Sequence, residues 1–230
     1  MKISPLHSWK LSPKEAIALQ KELATQIALH DSVPDSPKLV AGVDVSYARI
    51  AEQFHAAVVL LDYDSMEIME TASASGDVNF PYVPGLLSFR ELPILLQALQ
   101  KLESVPDVIL VDGQGIAHPR RLGLASHLAL WLDLPTIGCA KSRLCGEFEE
   151  PAAEKGAWTP LRDGEEDIGR VVRTKNRVRP LYVSPGHRVD FRRAAEIVLQ
   201  CGRGYRLPEP TRQAHLLSNR VRVQQEASRG

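Results

Sequence analysis

Three carboxylates in this sequence occupy surroundings where such groups do chemistry rather than solvate a surface. The stretch Ile109–Pro119, ILVDGQGIAHP, is an apolar run that ends in Asp112 and continues through two glycines, a histidine and a proline. It predicts a buried strand that delivers Asp112 to a cleft edge. The same residues also suit an ordinary reversal, with Asp112 as a cap and Gly113 and Gly115 letting the chain bend. Asp44 lies inside a second apolar run, Leu39–Tyr47. Burying a lone carboxylate is costly, so Asp44 must be paired, hold a metal, face a cleft or lie on the exposed side of its strand. Glu91 follows Ser88 by three residues, the spacing of a capping box, so its chemical role depends on where its helix starts.

The elements that would position these acids can be read in order. Ser12-Pro13 with Glu15 starts an amphipathic helix within Trp9–His30. Three strands follow, over 39–47, 54–63 and 67–79, joined by short polar connections that favour antiparallel hairpins. A helix from Ser88 to about Glu103, a strand over 108–112, a helix over 119–134 and a strand over 135–140 complete the pattern. The segment 148–168, rich in Glu, Gly and Pro, reads as an irregular surface excursion. Two strands around Lys175-Asn176-Arg177, a helix over 190–200 and a last helix carrying His215 follow, with a frayed tail over 227–230.

Three meandering strands followed by crossovers to parallel strands predict one mixed sheet flanked by helices on both faces, the α/β ribonuclease H-like arrangement. There the first and fourth strands are neighbours, so Asp44 and Asp112 would share a cleft that Glu91 can approach. Converging carboxylates repel one another, and divalent cations explain them: Mg²⁺ takes oxygen ligands and bridges carboxylates to phosphate. Metal-dependent phosphodiester hydrolysis is the chemistry such a cleft would perform. Between the third strand and the next helix, Pro81-Tyr82-Val83-Pro84-Gly85 forms a stiffened loop with an aromatic tip, suited to wedging between stacked bases.

Composition sets bounds on these readings. With 230 residues, 44% hydrophobic and 24% charged, the chain can bury one sizeable core, and a single domain is expected. No run approaches a membrane span, and Met1–Pro5 lacks a signal-peptide core, so a soluble, cytoplasmic protein is expected. Cys139, Cys145 and Cys201 match no common zinc spacing and are expected to be reduced. Net charge is zero, yet residues 1–110 carry 8 basic against 14 acidic groups and residues 111–230 carry 20 against 14. That asymmetry suits one face meeting a polyanion, with a merely solvated basic surface as the alternative.

The chain resembles the endonuclease V family. The resemblance rests on Ala41–Val45 (AGVDV), Pro81–Glu91 (PYVPGLLSFRE), Val111–Arg120 (VDGQGIAHPR), Gly138–Ser142 (GCAKS), Ser184–Arg188 (SPGHR) and Tyr205–Arg212 (YRLPEPTR), in order along the chain. It implies a Mg²⁺-dependent repair nuclease, with Mn²⁺ expected to substitute. Such an enzyme recognises deoxyinosine in DNA and nicks the second phosphodiester bond on its 3′ side, leaving a 3′-OH and a 5′-phosphate. Some relatives prefer inosine in RNA. By position, the resemblance makes Asp44, Glu91 and Asp112 the metal-binding acids. It makes Lys141 a stabiliser of phosphate or leaving-group charge and His215 a contributor near the metal. It also implies a strand-separating wedge of Pro81, Tyr82, Val83 and Pro84, and a base pocket around Gly85, Leu87, Gly113, His118, Gly138 and Leu144. Val83 departs from the isoleucine more often found at its position, and some relatives carry an acid in place of His215. His118 also suits a hydrogen-bonded turn histidine, and His187 the ordering of its turn. Arg120, Arg121 and Arg143 are candidate phosphate contacts, with surface solubility as the alternative. A monomer acting on inosine-containing nucleic acid is expected. Two rivals stand beside it: an inert nucleic-acid-binding module on the same fold, and a phosphotransferase. The phosphotransferase is disfavoured because the chain lacks a Gly-x-x-x-x-Gly-Lys loop.

Overall fold

The computed structural model describes residues 1–48 and 53–228. Helix α1 spans Pro13–Ala24 and begins as its sequence dictates: Ser12 and Glu15 form a reciprocal capping box, with proline in the first turn. Strands β1 (Leu39–Ala48), β2 (Gln53–Asp62) and β3 (Ile68–Asp77) form an antiparallel meander. Helix α2 (Leu87–Gln100) crosses over to β4 (Val108–Val111), which lies parallel to β1, and α3 (Leu124–Leu132) crosses to β5 (Thr136–Ala140), parallel to β4. Strands β6 (Trp158–Asp163), β7 (Glu166–Val172) and β8 (Leu181–His187) extend the sheet antiparallel, giving the order β3-β2-β1-β4-β5-β8-β7-β6. Helices α4 (Phe191–Gln200) and α5 (Glu209–Ala227) follow.

This is the ribonuclease H-like arrangement, with apolar side chains on both sheet faces. One face packs Val43, Val58, Ile109 and Val111 under α2 and α3, and the other packs Val40, Val59, Leu110 and Ile137 under α4 and α5. Strand β4 is buried on both sides, which is why its sequence is an uninterrupted apolar run. Among the described residues no helix is long and apolar enough to cross a membrane. The three cysteines are free, two of them buried.

Several expected boundaries move. Helix α3 begins at Leu124 rather than Pro119, because Arg121 takes a left-handed backbone (φ 57°) and the chain turns before it can coil. The excursion over 148–168 contains β6 and the start of β7. Strand β6 escaped the sequence reading because it is a sheet edge with only Leu161 buried, a position where Pro160 is tolerated and apolar alternation is weak. Of the tail expected to fray, Ala227 is helical, and residues 229–230 lie outside the described residues.

Candidate active site

The parallel pairing of β1 with β4 places Val43 opposite Val111, and the Asp112 amide donates to the Val43 carbonyl. Asp44, within β1, and Asp112, one residue past the end of β4, therefore lie side by side. Helix α5 brings His215 from the other face, and its Nδ1 lies 3.2 Å from Asp44 Oδ2. One ligand atom from each of Asp44, Asp112 and His215 falls within 4.8 Å of the other two. Lys141, one residue past β5, forms an ion pair with Asp112 Oδ2.

Glu91 is not in that tightest group but stands beside it. Burial, and next the neighbouring charges of Asp44 and Asp112, push its carboxyl up to about 8. Burial also raises Asp112, with Lys141 opposing. The capping box expected for Ser88 and Glu91 does not form, since the N-cap of α2 is Leu86, two residues before Ser88, and it gives no side-chain cap. The Ser88 hydroxyl instead meets the buried His127 Nδ1 at 3.0 Å, and His127 continues to His7 at 2.8 Å. Glu91 is thereby left to face the acids.

Beside the carboxylates opens a cavity of about 430 Å³ lined by Tyr82, Gly85, Leu87, Gly113, His118, Leu144 and their neighbours, with Asp112 and Lys141 at its edge. Val83 and Pro84 line it too. The Tyr82 ring is 74% exposed and stands 5.5 Å from the Arg90 guanidinium. Behind it, Phe80, Leu86 and Phe89 pack against α1, so the loop rests on a hydrophobic base. Gly85 is left-handed (φ 79°), and its carbonyl receives Gln20 Nε2 (3.1 Å), His118 Nε2 (3.1 Å) and Arg120 Nη2 (2.8 Å). Because Nε2 donates to a carbonyl while Nδ1 accepts the Arg120 amide, His118 is the neutral Nε2–H tautomer. Burial, reinforced by Arg120, lowers it to about 4.

Other expected site residues engage neighbours of their own. Gly138 is not among the residues lining the cavity; it lies beneath, where a Cβ would strike the Gly113 carbonyl at 2.6 Å and the Gly115 amide at 2.4 Å. At Gly113 a Cβ would crowd Leu124 at 3.2 Å, so packing against α3 already disfavours a side chain there. Arg120 bonds to Gln20 and Gly85, and Arg121 to Asp163 and Glu166 at 2.9 and 2.7 Å, so both fasten separate segments of the chain together. Arg143 is exposed on the rim, with its Nη1 bonded to the Gly146 carbonyl. His187 accepts the Ala28 amide at its Nδ1, and Ser184 and Pro185 hold Gly115 and Ile116, so the SPGHR stretch supports the loop after Asp112.

Gln20 and Ser218 were not legible as site residues. The Ser218 hydroxyl donates to Asp44 Oδ2 at 2.6 Å and is fully buried. Nothing in their local sequence marks them, because both act across more than 60 positions of chain.

The chain matches known proteins in sequence and in fold. The profile of the endonuclease V family matches residues 21–216. An endonuclease V of Dehalococcoides mccartyi is 51% identical over 216 residues, 94% of this chain and 96% of that protein. The crystal structure of the Bacillus subtilis endonuclease V superposes with a TM-score of 0.95 at 34% identity, covering 99% of this chain and all of that one. Ciona intestinalis endonuclease V, in complex with a 24mer DNA containing an inosine followed by a ribo-adenosine, superposes at 0.81 with 30% identity over 92% of this chain and 98% of that one. The chain belongs to the endonuclease V family.

Proposed function

We propose that this protein is a Mg²⁺-dependent endodeoxyribonuclease, active as a monomer in the cytoplasm. It recognises deoxyinosine in DNA and hydrolyses the second phosphodiester bond on its 3′ side, leaving a 3′-OH and a 5′-phosphate. The observation that carries the reading is the junction of an acid cluster with a cavity rimmed by an exposed aromatic loop. The DNA held by the Ciona relative contains an inosine, which supports the choice of substrate.

Asp44, Asp112 and His215 would hold the cation, with Glu91 beside them; an oxygen-rich set of this kind suits Mg²⁺ and accommodates Mn²⁺. The raised carboxyls of Glu91 and Asp112 fit this role, since a crowded group of acids is relieved by a positive charge. Such a cation lowers the pKa of attacking water and neutralises charge on phosphate oxygens. Lys141, half-exposed at the cluster edge, adds a second positive charge toward the scissile phosphate. Tyr82, with Pro81, Val83 and Pro84, fills the gap left in the duplex. Gly85, Leu87, Gly113, His118 and Leu144 then enclose the displaced base. Extrusion costs a few kcal/mol and is cheapest for a mispaired base, which favours a deaminated site. Arg143 on the rim contacts the backbone.

The test is a mapped cleavage assay with Mg²⁺ on matched duplexes with and without one deoxyinosine, alongside inosine RNA. The second arm is motivated by the ribonucleotide that follows the inosine in the Ciona complex. The expected product is a single nick one nucleotide beyond the lesion's own 3′ phosphodiester, abolished by EDTA. Tight binding without a nick would leave the inert-module reading in its place.

A further inference from the structure

Helix α5 approaches β1 more closely than side chains ordinarily allow. A Cβ on Gly42 would lie 1.9 Å from the Pro210 carbonyl, so only glycine admits the helix start at this distance. From there Thr211, Ala214 and Ser218, all fully buried and spaced three and four apart, form the helix face turned to the sheet. Ser46 Oγ on β1 donates to the Ser218 carbonyl at 3.1 Å and fixes the helix lengthwise. The result of this seating is that two α5 side chains converge on a single oxygen of Asp44. Ser218 Oγ donates to Oδ2 at 2.6 Å and His215 Nδ1 lies 3.2 Å from the same atom.

The serine hydroxyl has one proton and two acceptors in reach, Asp44 Oδ2 at 2.6 Å and the His215 carbonyl at 3.1 Å. The shorter, charge-assisted bond takes it. A carboxylate can only accept, so the His215 proton facing Asp44 is on Nδ1, and in the neutral ring Nε2 keeps its lone pair. Asn219 Nδ2 lies 2.8 Å from the His215 carbonyl and 3.3 Å from Nε2, steadying the ring from the next turn. Among the described residues, the side-chain bonds to Asp44 fall on Oδ2, which leaves Oδ1 to be offered elsewhere.

We propose that Ser218 is a positioning residue: its hydroxyl pins Oδ2 of Asp44 and thereby sets the orientation in which that carboxylate and His215 meet a divalent cation. This rests on the metal-dependent reading above. Partners of this kind, which orient a ligand without touching the ion, typically govern metal affinity by 10- to 100-fold.

The experiment is calorimetric titration of Mn²⁺ alone into the wild type and Ser218→Ala, with thermal unfolding of both in EDTA. The expected result is an about tenfold weaker Mn²⁺ affinity in Ser218→Ala, together with a kcat loss on the inosine duplex at saturating substrate and an unchanged KM. A purely structural serine would lower the unfolding midpoint and leave the Mn²⁺ affinity of the folded protein where it was, and that outcome overturns the proposal. Ser46→Ala removes a bond to the same helix without touching Asp44. An equal Mn²⁺ loss there would show that helix seating, not the Ser218 hydroxyl, is responsible, and would also overturn it. Wild type that binds Mn²⁺ but does not cut inosine DNA refutes the proposed function while the two titrations still decide the role of Ser218. Wild type that binds no Mn²⁺ overturns both.

Discussion

On one wall of the cleft Asp44, Glu91 and Asp112 crowd together, with Lys141 as the ion-pair partner of Asp112 and two carboxyls held above their ordinary range. On the other wall the Gly85 carbonyl accepts three donors, His118 is neutral with both ring nitrogens engaged, and Arg120 is tied to Gln20. The first wall is electrostatically unsatisfied and the second is saturated. A wall of crowded acids favours any cation that enters it, whereas a wall of closed hydrogen bonds has a fixed shape before anything enters. The proposed function thus puts chemistry and recognition on different physical devices only one loop apart.

The largest expected effect breaks the acid wall. Asp112→Asn should lower single-turnover cleavage of a deoxyinosine duplex by about 10³-fold or more, since metal-assisted charge stabilisation is worth several kcal/mol. Affinity for the uncut duplex, measured by anisotropy in Ca²⁺, should stay within about threefold, because the proposed base pocket lies on the opposite wall. Parallel loss of both would show that the walls are not separable.

Glu91→Gln tests the same wall through stability. Its carboxyl is raised from 4.5 to about 8, so between these values the folded protein holds a proton that the unfolded chain has released. Glu91 therefore favours folding below about pH 4.5, and this contribution is lost as pH rises through about 8. In EDTA, Glu91→Gln should unfold several degrees higher than wild type at pH 8 and at nearly the same temperature at pH 4.5. Saturating Mn²⁺ should erase the advantage at pH 8, because a cation relieves the wild-type carboxylate directly. An advantage that is constant across pH would mean that Glu91 is not strained by its neighbours.

The acid wall was far more legible in the sequence than the saturated one. Asp44 and Asp112 stand out because an apolar run rarely tolerates a carboxylate, and the strand order alone makes them neighbours. The fold brings Glu91 near Asp44 and Asp112, although Ser88 suggests a local cap; the Ser88 hydroxyl goes to His127, 39 residues away. The other wall depends on partners that no local pattern announces: Gln20 reaches Gly85 over 65 residues, and Arg121 reaches Glu166 over 45. Arginines next to an active-site motif read as phosphate ligands until their carboxylate and carbonyl partners are seen. The Trp158–Asp163 strand was lost for a related reason, since an edge strand buries too little to leave an alternating pattern.

A smaller effect is expected at the rim between the walls. Tyr82 is exposed, and stacking of one aromatic ring on a base contributes about 1–3 kcal/mol. Tyr82→Ala should weaken binding to the inosine duplex by about tenfold and reduce preference over undamaged DNA. The single-turnover rate at saturating enzyme should change much less. A collapse of that rate with affinity intact would move Tyr82 from the recognition side to the chemical one.

The smallest expected effect sharpens the contrast from the saturated side. Gly85 is left-handed, and a Cβ there would lie 2.5 Å from Arg120 Nη2 and 3.5 Å from His118 Nε2. The left-handed backbone costs an alanine about 1–2 kcal/mol. Arg120 cannot swing aside freely, because the same guanidinium is bonded to Gln20 and to the Gly85 carbonyl. Gly85→Ala should therefore lower unfolding free energy by about 1–2 kcal/mol in a denaturant titration and weaken inosine-duplex affinity severalfold. Its Mn²⁺ affinity should equal that of wild type. The loop and the acids share the cavity, but among the described residues the side chains that donate to the Gly85 carbonyl are Gln20, His118 and Arg120, none of them in the acid cluster. A change confined to the loop therefore reaches the cation site by displacing Asp112 or Lys141 at the cavity edge or Glu91 through the start of α2. A fall in Mn²⁺ affinity in Gly85→Ala would reveal that displacement and would join the two walls into one unit.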